Sequence, residues 1–597
     1  MAVKHSLILV AVIAATASPN PAQAKVIYNG VAAGDTTEES AVLWTRATTE
    51  PNTPVTLTVQ VATDPGFTNI IYSAKGTTNA DKDYTFKTQV KSLTSGQKYY
   101  YRFLSGTFVS PTGTFKTAPA KNQKVAVRFG FGGDTDGQWR PYPSTQFLGN
   151  LNLDFFIYLG DTIYPTAAGV LGTANYSPAA ANPYTNTKQA LIDYHRKYLE
   201  NLLPVHVGGF AGLQALLATT GSYTLFDNQE LGNKQFTNGG APTGSPPGAG
   251  ADATNTANDV NVTGRYINKT NNFQILEQAD ADYHPLGERA IFTPNDSRTN
   301  NTSQQFLAQQ WGANVILINL DDRSYGDIRV KLLGSPSMDD VGMRANNPNR
   351  TMLGLSQLAW VERTLATAQQ NRITWKIIAI SSPIDELGQL GKITSTVDPT
   401  QSVTVVDSGK SWVGGYRAER NALLKYIADN SIRNVVFITT DDHLNRINEV
   451  AYFNDINNPT AGRVIVPDTL TIVAGPLGAS GPNSITNHTF ANLKSLADQI
   501  ADAETLVGVN PLGLDPAFPG LQNVYREGDT SADSLRQPAD FYSPDTFNYV
   551  TFEISADGQT LSVKTYGINS YPADTFAEPD LTNNPVRQIL GFTLRAR

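Results

Sequence analysis

Several apolar runs in this chain end directly on a side chain able to hold a cation or a proton. Asp134 closes RFGFGGD inside a Gly-rich turn. Asp161 closes YLGD, and Tyr164 stands three residues further on. Asp321 follows VILINL, Ser381 follows KIIAI, and Asp441 follows NVVFITT, with His443 two residues later. Asn228 lies in LFDNQELGN, between Asp227 and Glu230. A carboxylate at the end of a buried strand is costly unless it is paired or bound to metal. Spacing by two puts Asp441 and His443 on the same side of an extended segment. Taken one at a time these are ordinary cap and turn residues. Their order and spacing together point to one site, because polar groups beyond the carboxyl ends of α/β strands gather in one place.

Composition narrows the chemistry. The 597 residues contain no cysteine, which excludes a disulfide scaffold, a cysteine zinc site, an iron–sulfur cluster and a thiol nucleophile. The six histidines stand at 5, 195, 206, 284, 443 and 488, so a metal site here must lean on oxygen ligands. Lys and Arg number 45 against 53 Asp and Glu, a net charge of −8 with no nucleic-acid-binding patch.

The elements that must position these residues are legible in outline. Residues 1–24 read as a signal peptide: Lys4 and His5, an apolar run Leu7–Ala15, then the small-residue triplet Ala22-Gln23-Ala24. The run is short of the about 20 residues a membrane span needs, and no other stretch is long enough. A secreted or periplasmic protein is expected. Residues 26–118 alternate in short strands (41–47, 55–63, 84–90, 98–104), and Leu93 with Tyr99 and Tyr101 matches the tyrosine-corner pattern of fibronectin type III sandwiches. From 124 to 597 continuous apolar strands (125–131, 155–160, 315–320, 376–380, 434–440) are interleaved with helical stretches at 187–204, 303–311, 354–370 and 416–429, an α/β layered domain. Insertions are expected near 237–260 and 484–545, the second with a helical stretch at 489–505. A hairpin is expected around Ala556-Asp557-Gly558.

The order of the polar residues resembles the binuclear metallophosphoesterase pattern: D, then GD-x-x, then GN, then G-H-x-H. More narrowly, the chain resembles the alkaline phosphatase D (PhoD-like) family. The likeness runs through GVAAGDTTEESAVLWTRA (30–47), RFGFGGD, YLGDTIY, FDNQELGN, LDDRSYGDIR (320–329), MLGLSQLAWVERTL (352–365), SWVGGYRAERNALLKYI (411–427) and NVVFITTDDH. Three departures stand out. Asp134 replaces the family's usual cysteine, Asp227-Asn228-Gln229-Glu230 replaces Asp-Asp-His-Glu, and Thr440-Asp441-Asp442-His443 replaces the late G-D-x-H. The first two move the site toward the purple acid phosphatase pattern.

Carried over by position, the resemblance implies a metallophosphoesterase-like layered sandwich behind the β-domain. Asp134, Asp161, Tyr164 and His443 would hold the first metal, Asp161 would bridge, and Asn228 and Asp441 would hold the second. Phenolate and carboxylates suit ferric iron; an all-oxygen second site favours calcium over manganese or magnesium and argues against zinc. Ser381 or Ser382 is a further candidate ligand. The implied activity is a secreted, metal-dependent phosphatase acting on small phosphate esters through a metal-activated hydroxide. Arg323 is the candidate cation for the substrate phosphate, with a pair to Asp321 or Asp322 as the alternative. Gln229 cannot act as a general acid, which leaves solvent, Asp136 or Asp442. Competing readings are a phosphodiesterase or phospholipase D-like hydrolase on the same scaffold, and a catalytically dead metal-binding surface protein.

Overall fold

The computed structural model describes residues 25–50, 52–164, 187–231, 271–327, 346–385, 415–457, 462–481, 513–527, 541–543 and 545–597 (without 574 and 576), with isolated residues and short strands between them. The expected signal peptide, the 237–260 loop and most of the 484–545 insertion, including nearly all of 489–505, lie outside these residues.

Two mixed sheets face each other. The larger has ten strands, and its middle is Thr546–Ile554, Val127–Gly132, Phe155–Leu159 and Ser222–Leu225. The other has seven, centred on Val315–Asn319, Trp375–Ala379, Val435–Thr439 and Arg463–Val473. The core between them is built from alternate residues: Phe129, Phe131, Ile157 and Leu159 from one side, Leu317, Ile377, Val436, Ile438 and Ile472 from the other. The intervening residues Phe156 and Tyr158 point outward, under Tyr194, Tyr198, Leu213, Leu216 and Phe273 of helices Thr187–Leu202, Gly212–Thr219 and Asn271–Tyr283. Helices Leu355–Gln370 and Arg417–Asp429 cover the far face of the seven-stranded sheet. Strands buried on both faces are why the sequence shows unbroken apolar runs there.

The N-terminal region is all β, and it divides between two sheets. Strands Val55–Ala62, Ile70–Thr78, Lys98–Ser105, Phe108–Val109 and Gly113–Lys116 form a separate sheet. Val26–Gly34, Ala41–Thr49 and Thr85–Val90 instead extend the ten-stranded sheet, joined where Gly34 pairs in parallel with Ser222. A Cβ on Gly34 would lie 2.8 Å from the Ser222 carbonyl, so the join requires glycine. Tyr99 and Tyr101 are buried, and the N–H of Thr94 donates to the Tyr99 hydroxyl at 2.8 Å.

One expected element differs. Within 303–311, read as helical, Leu307–Trp311 is an edge strand paired antiparallel to Val315–Asn319. The tight turn at Gly312 folds the segment back, and Trp311 is buried in the inter-sheet core, a tertiary gain that outweighs local helical preference. At the C-terminal end, Thr546–Ile554 and Thr560–Asn569 pair as a hairpin with Gly558 in the left-handed region.

Candidate metal centre

The loops that leave four central strands converge. Asp134 follows Val127–Gly132, Asp161 follows Phe155–Leu159, Asp227 and Asn228 follow Ser222–Leu225, and Asp441 and His443 follow Val435–Thr439. The first two loops continue the parallel ladder: Asp134 N–H donates to Gly160 at 3.1 Å and Thr135 N–H to Asp161 at 2.8 Å. Asp134, Asp161, Asp227, Asn228 and Asp441 are all buried, while Tyr164 and His443 are partly exposed.

The side chains form two groups that share Asp161. One oxygen or nitrogen from each of Asp134, Asp161 and His443 lies within 4.8 Å of the others, and the same holds for the carboxylates of Asp161, Asp227 and Asp441. Tyr164 joins the first group, its hydroxyl 2.7 Å from His443 Nε2. His443 Nε2 is 3.6 Å from Asp134 Oδ1, and its Nδ1 contacts the Ser480 carbonyl. The structure therefore brings together Asp134, Asp161, Tyr164, Asp441 and His443. Asn228 lies beside Asp227 in the chain, on the turn that follows Ser222–Leu225.

Four of these residues carry backbone strain. Asp134, Asp161, Asp441 and His443 have φ of 60°, 47°, 70° and 53°. The left-handed region costs a residue other than glycine about 1–3 kcal/mol, and such outliers cluster at functional sites. Close approach adds a second constraint: a Cβ on Gly475 would sit 2.5 Å from Asp134 Oδ2.

Sequence reasoning missed Asp227 and Glu230. Glu230 is fully buried and accepts from the N–H groups of Asp161 (3.1 Å), Thr162 (2.5 Å) and Asp227 (2.8 Å) and from the Thr162 hydroxyl (2.6 Å). It thereby ties the Asp161 loop to the Asp227 loop. Both residues stood in the motif that supplied Asn228; only the turn geometry shows which side chain faces inward.

Arg323 takes the paired alternative: it reaches Asp322, as expected, and adds Asp227 and Asp441 as partners. It is completely buried, bonds Asp227 through Nε, and lies 3.4 Å from Asp441 Oδ2 and 3.9 Å from Asp322 Oδ2. Three carboxylates raise its pKa against the opposing effect of burial. Ser381 and Ser382 brace the neighbouring acids: Ser381 Oγ donates to Asp227 (2.9 Å) and Asp322 (2.8 Å), and Ser382 N–H to Asp322 (3.0 Å). Asp136 caps the turn at Gln138 (3.0 Å), and Asp442 is held by Arg446 at 2.6 Å. His195 and His284 are packing residues, paired to Asp282 and Asp280. Tyr416 and Arg420 bond the carbonyls of Asp327 and Ile384 at the start of their helix.

The donor set fits cations. Burial, then the charges of Asp227, Glu230, Asp134 and Asp441, push the Asp161 carboxyl well above its ordinary range. Burial and the charges of Asp161, Asp134 and Asp136 push the Tyr164 phenol well above its own. This excess of buried negative charge is what a bound cation relieves.

Comparison with known proteins places the chain. The model for the PhoD-like phosphatase N-terminal domain matches residues 13–119, and that for the PhoD-like phosphatase matches 134–505, more than half of the chain. Alkaline phosphatase D of Bacillus subtilis (strain 168) is 26% identical over 431 residues, covering 69% of this chain. The match spans 64% of that relative's own length. The solved structure described as "Structure of PhoD" shares the fold, with a TM-score of 0.64 over 95% of this chain and 90% of the other at 18% identity.

Proposed function

The chain belongs to the PhoD-like phosphatase family, and we propose that it is a secreted, metal-dependent phosphatase that hydrolyses small phosphate esters. The observation that carries this reading is the pair of ligand groups sharing one aspartate, Asp161. Asp134, Asp161, Tyr164 and His443 would hold the first ion, ferric iron by the hardness of phenolate and carboxylate. Asp161, Asp441 and the Asp227-Asn228 turn would hold the second, calcium by its oxygen donors. When bound, two such cations supply the Lewis acidity that lowers the pKa of water and neutralises charge on phosphoryl oxygens.

The chain's own residues do the rest. The strained loops hold Asp134, Asp161, Asp441 and His443 in place, so little reorganisation is left for the reaction itself. Arg323 neutralises Asp227 and Asp441 and fixes their direction. Asp442 is engaged by Arg446 in an ion pair at 2.6 Å. Asp136 is engaged as a cap, accepting from the Gln138 N–H. Leaving-group protonation therefore falls to solvent, and esters with good leaving groups should react fastest. Residues 26–118 are read as a fibronectin type III-like unit and 124–597 as the catalytic unit, delivered outside the cytoplasm by the leader at 1–24. Metal content by mass spectrometry combined with a p-nitrophenyl phosphate assay tests this. Metal-laden protein that releases phosphate supports it; inert, metal-laden protein points to a surface-binding role.

A further inference from the structure

Helix Thr187–Leu202 ends behind the metal-facing loops, and its last turn carries Asn201, a buried amide outside every motif in the sequence. Its Nδ2 donates to the carbonyl of Thr135 at 2.7 Å and to that of Thr162 at 2.8 Å. These residues directly follow Asp134 and Asp161. The Thr135 hydroxyl bonds the same Thr162 carbonyl at 3.1 Å and lies 2.5 Å from the Tyr158 hydroxyl. Thr162 is thus held from its amide side by Glu230 and from its carbonyl side by Asn201. Asn201 then reaches across to the Asp134 loop.

Asp134 and Asp161 both sit in the left-handed region, which persists only where the surroundings over-determine the backbone. The direction of each carboxylate follows from that backbone. We propose that Asn201 is a positioning residue of the first metal: by spanning two carbonyls just beyond the direct backbone bonds between the loops, it locks the separation of Asp134 and Asp161, the two carboxylates this ion needs together. The proposal rests on the two-metal reading above.

The test is metal release. Protein purified with its native metals is challenged with a chelator, and release is followed by mass spectrometry for wild type, Asn201→Ala and Asn201→Ser, with the melting temperature of each chelated protein measured in parallel. Residues that orient metal ligands typically change metal affinity about 10–100-fold, so release roughly tenfold faster is expected, with chelated proteins that melt alike. A role confined to helix-end packing would lower the chelated melting temperature and leave release unchanged. Should the alanine variant fail to fold, the serine variant, too short to span both carbonyls, is read in the same way. Metal-laden variants that release less than about threefold faster than wild type overturn this proposal alone. A wild type without bound metal overturns the two-metal reading, and this proposal with it.

Discussion

The hydroxyl of Tyr164 lies 2.7 Å from Nε2 of His443, although 279 residues separate them in the chain. The contact joins the loop after Phe155–Leu159 of the ten-stranded sheet to the loop after Val435–Thr439 of the seven-stranded one. Two donors of different chemistry thus converge from opposite sheets on the point that Asp134 and Asp161 also face.

Colour is the first expected consequence. Burial and the nearby carboxylates hold the Tyr164 phenol protonated well above its usual pKa in the chelated protein. A bound ferric ion reverses that preference and favours phenolate. Loading iron near neutral pH should release a proton and produce a visible charge-transfer band, absent in Tyr164→Phe. A colourless, iron-free and fully active enzyme would remove the ferric assignment and leave the phosphatase one.

The second metal should be recognised by its oxygen donors. Activity lost on chelation should return with calcium added to iron-loaded protein. Return with zinc alone, and none with calcium, contradicts the oxygen-site argument.

Asp134 separates a ligand from a turn residue. Asparagine tolerates the left-handed backbone that Asp134 adopts, so Asp134→Asn removes the charge and little else. Iron content should fall and turnover should drop at least about tenfold. Asp134→Cys should keep part of the metal, because it restores an anionic donor. Near-normal iron and turnover in Asp134→Asn would assign the residue to the turn.

Arg323 should act through Asp227 and Asp441. Removing one partner of a buried ion pair costs about 3–5 kcal/mol, so Arg323→Ala should melt lower, and lower still after chelation. A raised KM with unchanged melting temperature would mean direct contact with substrate.

Stability should depend on pH differently with and without metal. The Asp161 carboxyl is raised in the folded, metal-free state above its unfolded value, so its stabilising contribution is full at acid pH and lost as pH rises through the folded pKa. Glu419, pushed up to about 7 by burial, and Asp321, pushed up to about 6, shift in the same direction with or without metal and cancel in a comparison. The gap in melting temperature between metal-loaded and chelated protein should widen from pH 5 to pH 8, measured by calorimetry. A constant gap would mean that no cation relieves the Asp161 cluster.

The strand-end positions are written in the local pattern of residues. Asp134, Asp161 and Asp441 are legible because strands buried on both faces read as unbroken apolar runs, and a run must stop where a polar group begins. Which side chains of a turn face inward was not legible, because neighbouring residues in a turn differ only in backbone torsion. The motif around Asn228 could not reveal that Asp227 enters the second ligand group or that Glu230 binds four donors across two loops. Asn201 carried no signal at all, since its acceptors belong to loops distant in the chain. Leu307–Trp311 became a strand through burial of Trp311, and Val26–Gly34 joined the ten-stranded sheet through Gly34 and Ser222. Burial and hydrogen bonding between distant segments decided these features, and local sequence pattern carries no record of such partners.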